Sequence, residues 1–274
     1  MDFYKGTIPI INDDNINKGH LPPQGGGFGY VPRDYAADPP QMFSALPSNI
    51  KIIPPSEYDA RYEEQEEQKS SLEHLYLRGG PTGEPAFTNL DQNGDGYCWA
   101  YSTGHAIMFD RLKANQPIIR LSPHGPAAII KGGRDEGGWC GLSAKFAREV
   151  GYPSEATWPA QSRSLRNDTP AMRADCALHQ VTNEFVDLTR DVYDQNLTIA
   201  QFATCLFNNN PSPSDFNWWG HSVCSIRWVR IEAGSWGPLI INSWLGWGRH
   251  GLAVLQGSKA KPDGALSILV SSAS

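Results

Sequence analysis

The sequence predicts an α+β fold, with helices concentrated in the middle of the chain and strands in its last third. Residues 98–115 carry helix formers with apolar residues at Ala100, Ile107, Phe109 and Leu112, and they stop short of Pro117. Residues 223–231, 239–243 and 252–255 are rich in β-branched and apolar residues and lie between glycines. The first 50 residues hold Pro22-Pro23, Gly25-Gly26-Gly27 and Pro39-Pro40 with no apolar period, a composition suited to an extended arm. At 274 residues the chain can form one large domain, or two lobes, around a sizeable core.

Residues 56–78 read as one helix, bracketed by Pro54-Pro55 and Gly79-Gly80-Pro81, with Ser56 and Asp59 approximating a capping box. It is strongly acidic, and a solvated face is expected for it. Asp91 to Gly96 resembles half of an EF-hand loop, but the twelfth position is Ser102 rather than a bidentate Glu, which argues against calcium. A short helix is expected over 142–150, closed by Gly151 and Pro153. Another opens at Thr169-Pro170, with Thr as N-cap and Pro at the first helical position. Thr198 and Gln201 predict a capping box for a helix ending near Phe207. No internal repeat is visible.

The net charge of −6 argues against a nucleic-acid binder built on phosphate contacts. No apolar run approaches the ~18 residues of a membrane span, and the start lacks a basic segment followed by an apolar stretch. Cys98, Cys140, Cys176, Cys205 and Cys224 are odd in number. Without an export signal they read as reduced thiols of a reducing, cytoplasmic compartment. No metal or cofactor is called for.

Cys98 stands at the first turn of the predicted helix, where the positive end of the helix dipole favours a thiolate, the nucleophilic form. A cysteine nucleophile needs a base, and the base needs a third group to hold its ring. His221 heads one predicted strand and Asn242 ends the next, so pairing of successive strands can make them neighbours. Gln92 stands six positions before Cys98, and Cys98-Trp99-Ala100-Tyr101-Ser102 follows. Asn242-Ser243-Trp244 runs into a Gly/Trp-rich turn.

These segments resemble the papain-like cysteine peptidases in residue type and order, with His221 and Asn242 following Cys98 at close to the ~130–150 residues seen in that family. The resemblance covers roughly residues 86–256. It implies a two-lobe fold: a helical lobe over about 86–180, and an antiparallel, barrel-like β lobe over about 181–270. Residues 1–81 would form the arm and acidic helix, and 82–274 the catalytic domain. It further implies a Cys98–His221–Asn242 triad and an oxyanion hole from the Gln92 side chain and the Cys98 backbone N–H. Trp244 would shield the His–Asn bond, and Gly137, Gly138 and Trp219 would line the substrate cleft. The chain departs from the family pattern at Asp95 and Asp135, which stand where its members outside the cell carry a disulfide, and at Gly220, where Asn or Asp is commoner. The six other histidines, His20, His74, His105, His124, His179 and His250, read as structural or surface residues.

The expected activity is hydrolysis of peptide bonds in a peptide or protein substrate. An acyl transferase or amidase on the same triad, and a structural or virion-associated assembly protein with the site idle, are the other readings. The assembly reading rests on the arm, expected to reach a neighbouring molecule through residues 1–80 rather than lie across the cleft like a pro-segment. Neither a nucleic-acid nor a membrane partner is expected.

Overall fold

The computed structural model describes residues 8–15, 29–80, 83–181, 184–190 and 195–269. The Pro22-Pro23 and Gly25-Gly26-Gly27 stretches, His20 and the expected boundary at 81–82 lie outside these residues. In chain order the elements are β1 (Ile10–Ile11), α1 (Tyr58–Gln68), α2 (Leu72–Arg78), α3 (Cys98–Lys113), α4 (His124–Lys131), α5 (Cys140–Glu149) and α6 (Pro170–Leu178). Then follow β2 (Phe185–Asp187), α7 (Gln195–Phe207), β3 (Ser212–Phe216), β4 (His221–Glu232), β5 (Ser235–Ile241), β6 (Leu252–Leu255) and β7 (Gly264–Ile268).

The sheet has the order β1-β6-β5-β4-β3-β7-β2. Its pairings are antiparallel except where β1, contributed by the arm, adds to β6 in parallel. At its centre β4 pairs with β3 on one side and β5 on the other. Strands β2, β3 and β7 had no apolar alternation to announce them. In β3, Ser-Pro-Ser-Asp-Phe is buried throughout. Its hydroxyls are matched in pairs, Ser212 with Ser267 and Ser214 with Ser225, so polar residues stay inside without a loss of hydrogen bonds.

Helix α3 is buried from Cys98 through Phe109. A helix enclosed on all sides shows no strong apolar stripe, because no face needs to be polar. It packs along β4 and against α5. Thr169 caps α6 as the sequence predicts, its hydroxyl accepting from the Met172 N–H. Thr198 does not stand at the helix start: α7 begins at Gln195, so Thr198 lies inside the helix.

The single helix expected over 56–78 is two. Lys69 adopts a left-handed conformation (φ 52°) that ends α1, and the Ser71 side chain accepts from the His74 N–H to start α2. A serine that can cap competes with helix continuation, and here it wins. Ser56 does not stand at the start of α1 either; it lies in a 3-10 turn ahead of that helix. Nor is the acidic face merely solvated. The side chain of Arg227 on β4 is 1% exposed and lies 2.6 Å from Glu73 and 2.8 Å from Glu66, with Gln65 accepting from its Nε. Arg230 pairs with Asp59 and Glu63. These contacts dock the helix pair on the sheet.

The described parts of the arm also lie on this chain. Phe43, Ile53, Tyr58, Tyr62, Leu72 and Tyr76 are buried in the same hydrophobic core as α3 and β4. No helix among the described residues is long and apolar enough to cross a membrane. Among those residues no group of three or more His, Cys, Asp or Glu side chains is placed to hold a metal ion.

Removing one partner of a buried ion pair leaves a charge without compensation, at a cost of about 3–5 kcal/mol. Arg227→Ala is therefore expected to lower the unfolding free energy by that amount, read as a lower urea midpoint at unchanged slope. A loss below about 1 kcal/mol, the range of exposed pairs, would show that the helix pair is held by apolar contacts alone.

Candidate active site

The register of β4 against β5 places Cys224 opposite Ile241. The start of β4 and the residue after β5 therefore lie at the same end of the sheet, which brings His221 to Asn242. His221 Nε2 is 2.8 Å from Asn242 Oδ1. An amide oxygen only accepts, so Nε2 carries the proton and Nδ1 keeps its lone pair. Asn242 Oδ1 also accepts from the Ser243 N–H at 2.7 Å, and Asn89 Nδ2 donates to the carbonyls of Asn242 and Trp244. The Trp244 ring stacks on the imidazole with centroids 4.5 Å apart, and Trp219 meets it edge-on at 4.9 Å. His221 and Asn242 have no solvent exposure.

Cys98 is the first residue of α3 and is also buried. Ser222, next in sequence to His221, favours the ionised form of the Cys98 thiol, so the thiol lies near the start of β4. Burial pushes the thiol up to about 12, against the lowering effect of Ser222. In this closed arrangement the sulfur is protonated at neutral pH, although the helix N-terminus favours the thiolate.

Gln92 is held from both sides of its amide. Its Oε1 accepts from Ser243 Oγ at 2.6 Å, which turns Nε2 toward the Asp95 carbonyl at 2.7 Å, in the loop leading to Cys98. Its backbone N–H donates to the Ser243 carbonyl. The glutamine loop and the strand end that carries Asn242 are thus tied together.

Asp95 and Asp135 are linked by charge. Arg163 reaches Asp95 at 3.6 Å and Asp135 at 3.7 Å. Asp135 accepts from the Gly96 N–H at 2.6 Å. Asp95 also meets Nε2 of buried His124, whose Nδ1 lies 2.6 Å from the Tyr101 hydroxyl. The five cysteines are free, buried thiols.

Residues 29–31 of the arm run beside this site as a strap. Gly138 N–H donates to the Gly29 carbonyl and the Val31 N–H donates to the Gly138 carbonyl, both at 2.9 Å. The Tyr30 N–H donates to the Gly220 carbonyl, beside His221, at 3.1 Å. The passage is walled by glycines because two backbones meet there. Gly29 has φ +87°, and a Cβ on it would collide with the Gly96 carbonyl. A Cβ on Gly137 would lie 2.6 Å from the Gly29 carbonyl oxygen.

Of the residues expected to line the cleft, Gly137 and Gly138 bear on the strap. Trp219 instead joins Trp244 and Trp247 in the aromatic cluster around His221. Sequence reasoning missed the Gly220 carbonyl and the strap itself. Backbone acceptors carry no residue signature, and Gly29 was one glycine in a glycine-rich stretch.

No protein-family model matches the chain, and no curated protein matches it in sequence. Solved structures do. The chain is similar to xylellain, a cysteine protease from Xylella fastidiosa, at a TM-score of 0.59 and 18% identity over 89% of this chain and 96% of that one. It is also similar to a digestive procathepsin L 3 from the larval midgut of Tenebrio molitor, at a TM-score of 0.52 and 16% identity over 78% of this chain and 86% of that one. The fold is that of the papain-like cysteine proteases.

Gly29→Val adds a side chain where backbone meets backbone and is expected to dislodge the strap. Solvent access lowers a thiol pKa and raises its reactivity, so alkylation of Cys98 by iodoacetamide at neutral pH should speed up by about tenfold or more. Mass spectrometry of the Cys98 peptide reads this directly. Equal rates in the parent and variant would mean that the strap does not control access.

Proposed function

We propose that this chain is a cysteine peptidase held in a closed state by its own strap. The observation that carries the reading is the 2.8 Å bond from His221 Nε2 to Asn242 Oδ1, formed beside a thiol at a helix N-terminus. That bond puts the proton of a buried imidazole on Nε2, so Nδ1 is the nitrogen that takes up a proton. Cys98 gives its thiol proton to His221, and the sulfur attacks the scissile carbonyl carbon. The oxyanion is met by Gln92 Nε2 and the Cys98 backbone N–H, where the helix N-terminus favours negative charge. His221 then protonates the departing amine. Water, deprotonated by the same ring, hydrolyses the thioester and returns the thiol.

Peptide hydrolysis is favoured over acyl transfer because the cleft already binds an extended chain through backbone bonds at Gly138 and Gly220. Any polypeptide can make those bonds whatever its side chains. The described arm residues dock on their own domain, which supports a blocking role over a link to a neighbouring molecule.

In the Gly29→Val background, Cys98→Ala should abolish turnover of a peptide library and labelling by an epoxide thiol probe. His221→Ala should do nearly the same, since residues acting as a unit fail together. Asn242→Ala should retain partial activity. Gln92→Ala should lose about 100- to 1,000-fold in kcat, the usual effect of deleting one oxyanion donor. Turnover that survives Cys98→Ala would remove Cys98 as the nucleophile.

A further inference from the structure

Residues 88–92 form neither helix nor strand, and they touch the candidate site twice. Asn89 Nδ2 donates to the Asn242 and Trp244 carbonyls at 3.2 and 3.0 Å, and the Gln92 N–H donates to the Ser243 carbonyl at 3.0 Å. Between these contacts the Leu90 N–H donates to Nε2 of His105 at 3.0 Å. His105 lies on α3, about two turns beyond Cys98, and is 1% exposed. One side chain thus joins the helix that carries the thiol to the segment that carries Asn89 and Gln92. Leu90 packs closely there as well: it is buried, and a Cβ on Gly104 would lie 3.4 Å from its Cδ1.

That bond fixes the state of the ring. A backbone N–H only donates, so Nε2 is the bare nitrogen and Nδ1 carries the proton. The imidazole is therefore neutral. Among the described residues its Nδ1 is buried without a hydrogen-bond partner. An unpaired buried donor is destabilising, and an apolar side chain would avoid that cost, so the imidazole is explained by what Nε2 accepts. The charged group that bears on the ring is a cation, Arg120. Burial first, and then Arg120, push His105 down to about 3. Arg120 holds the same segment one step earlier, donating to the Thr88 carbonyl at 2.9 Å, and pairs with Glu155 at 2.9 Å. A proton on Nε2 would set one N–H against another.

We propose that His105 is a positioning residue of the candidate site: as a neutral acceptor it holds Leu90, and through Leu90 it sets Asn89 against the Asn242 turn and Gln92 in the loop before Cys98. The inference deepens the peptidase reading, and its effect on turnover rests on that reading. Acid releases the hold. When the segment lifts away, the freed imidazole takes up a proton near its ordinary value of 6.5, whereas the held ring does not. The hold is fully present above about pH 6.5 and weakens as the pH falls toward about 3.

The test follows hydrogen exchange at the Leu90 amide in the full chain, unaltered or carrying His105→Gln or His105→Leu. Glutamine offers an acceptor oxygen near the place of Nε2 and takes no proton; leucine offers no acceptor. From pH 7 to pH 5 the Leu90 protection factor should fall about 25-fold in the unaltered chain, as linkage to one such group requires, and stay level in His105→Gln. At pH 7, His105→Leu should lower Leu90 protection about tenfold while amides at the centre of β4 stay protected, the mark of a local opening. In the Gly29→Val background, His105→Leu should lower kcat about tenfold at little-changed KM, and His105→Gln should restore it to within about threefold, since misplaced groups slow the chemical step. If His105→Leu does not fold, the pH dependence of the unaltered chain against His105→Gln decides. The same pH dependence in those two chains would overturn the proposal. So would an unchanged kcat in a His105→Leu chain whose Leu90 amide has lost protection, which would leave the peptidase reading intact. Expected exchange behaviour in a Gly29→Val chain that turns over no peptide would remove the peptidase reading and keep the hold.

Discussion

The antiparallel pairing of β4 with β5 is the constraint on which the site depends. Antiparallel strands bring the start of one to the end of the other, and the register here leaves His221 and Asn242 at hydrogen-bond distance. Every support then acts on that junction. Ser243 fixes the Asn242 amide oxygen and the Gln92 amide at once. Asn89 clamps the turn from below, and Trp244 closes the ring face. Helix α3, packed along β4, delivers Cys98 near the start of that strand.

Burial at the same junction sets the state of the thiol. A thiol at a helix N-terminus is predisposed to ionise, but complete burial costs the charged form more than the dipole supplies. Cys98 is buried, and residues 29–31 are bonded to Gly138 and to Gly220, the neighbour of His221. Glycines at 29 and 137 let the two backbones come that close. The Arg227 and Arg230 ion pairs and the shared core hold the rest of the arm in place behind the strap.

Charge does elsewhere what a covalent link would do. Asp95 and Asp135, in adjoining loops, are joined through Arg163 and through the Gly96 N–H rather than by sulfur. Such a link survives reduction but weakens with salt, since Arg163 is 44% exposed. The buried His124–Tyr101 pair extends it into the helix layer.

Local chemistry made much of this legible in advance. The span of α3, the Thr169 cap, the strands β4 to β6 and the order Gln92, Cys98, His221, Asn242 all follow from residue type and spacing, which act over a few neighbours. What the sequence could not declare was set by partners distant along the chain. Strand β3 is polar and waited for Ser225 and Ser267 to satisfy its hydroxyls. The acidic helix read as solvated until Arg227 and Arg230 met it. The course of the strap was hidden because its bonds run between backbone groups, which every residue possesses alike. Side-chain pattern determined which residues could form the site; tertiary packing alone decided that the arm folds back over it, because burial and backbone pairing have no local signature.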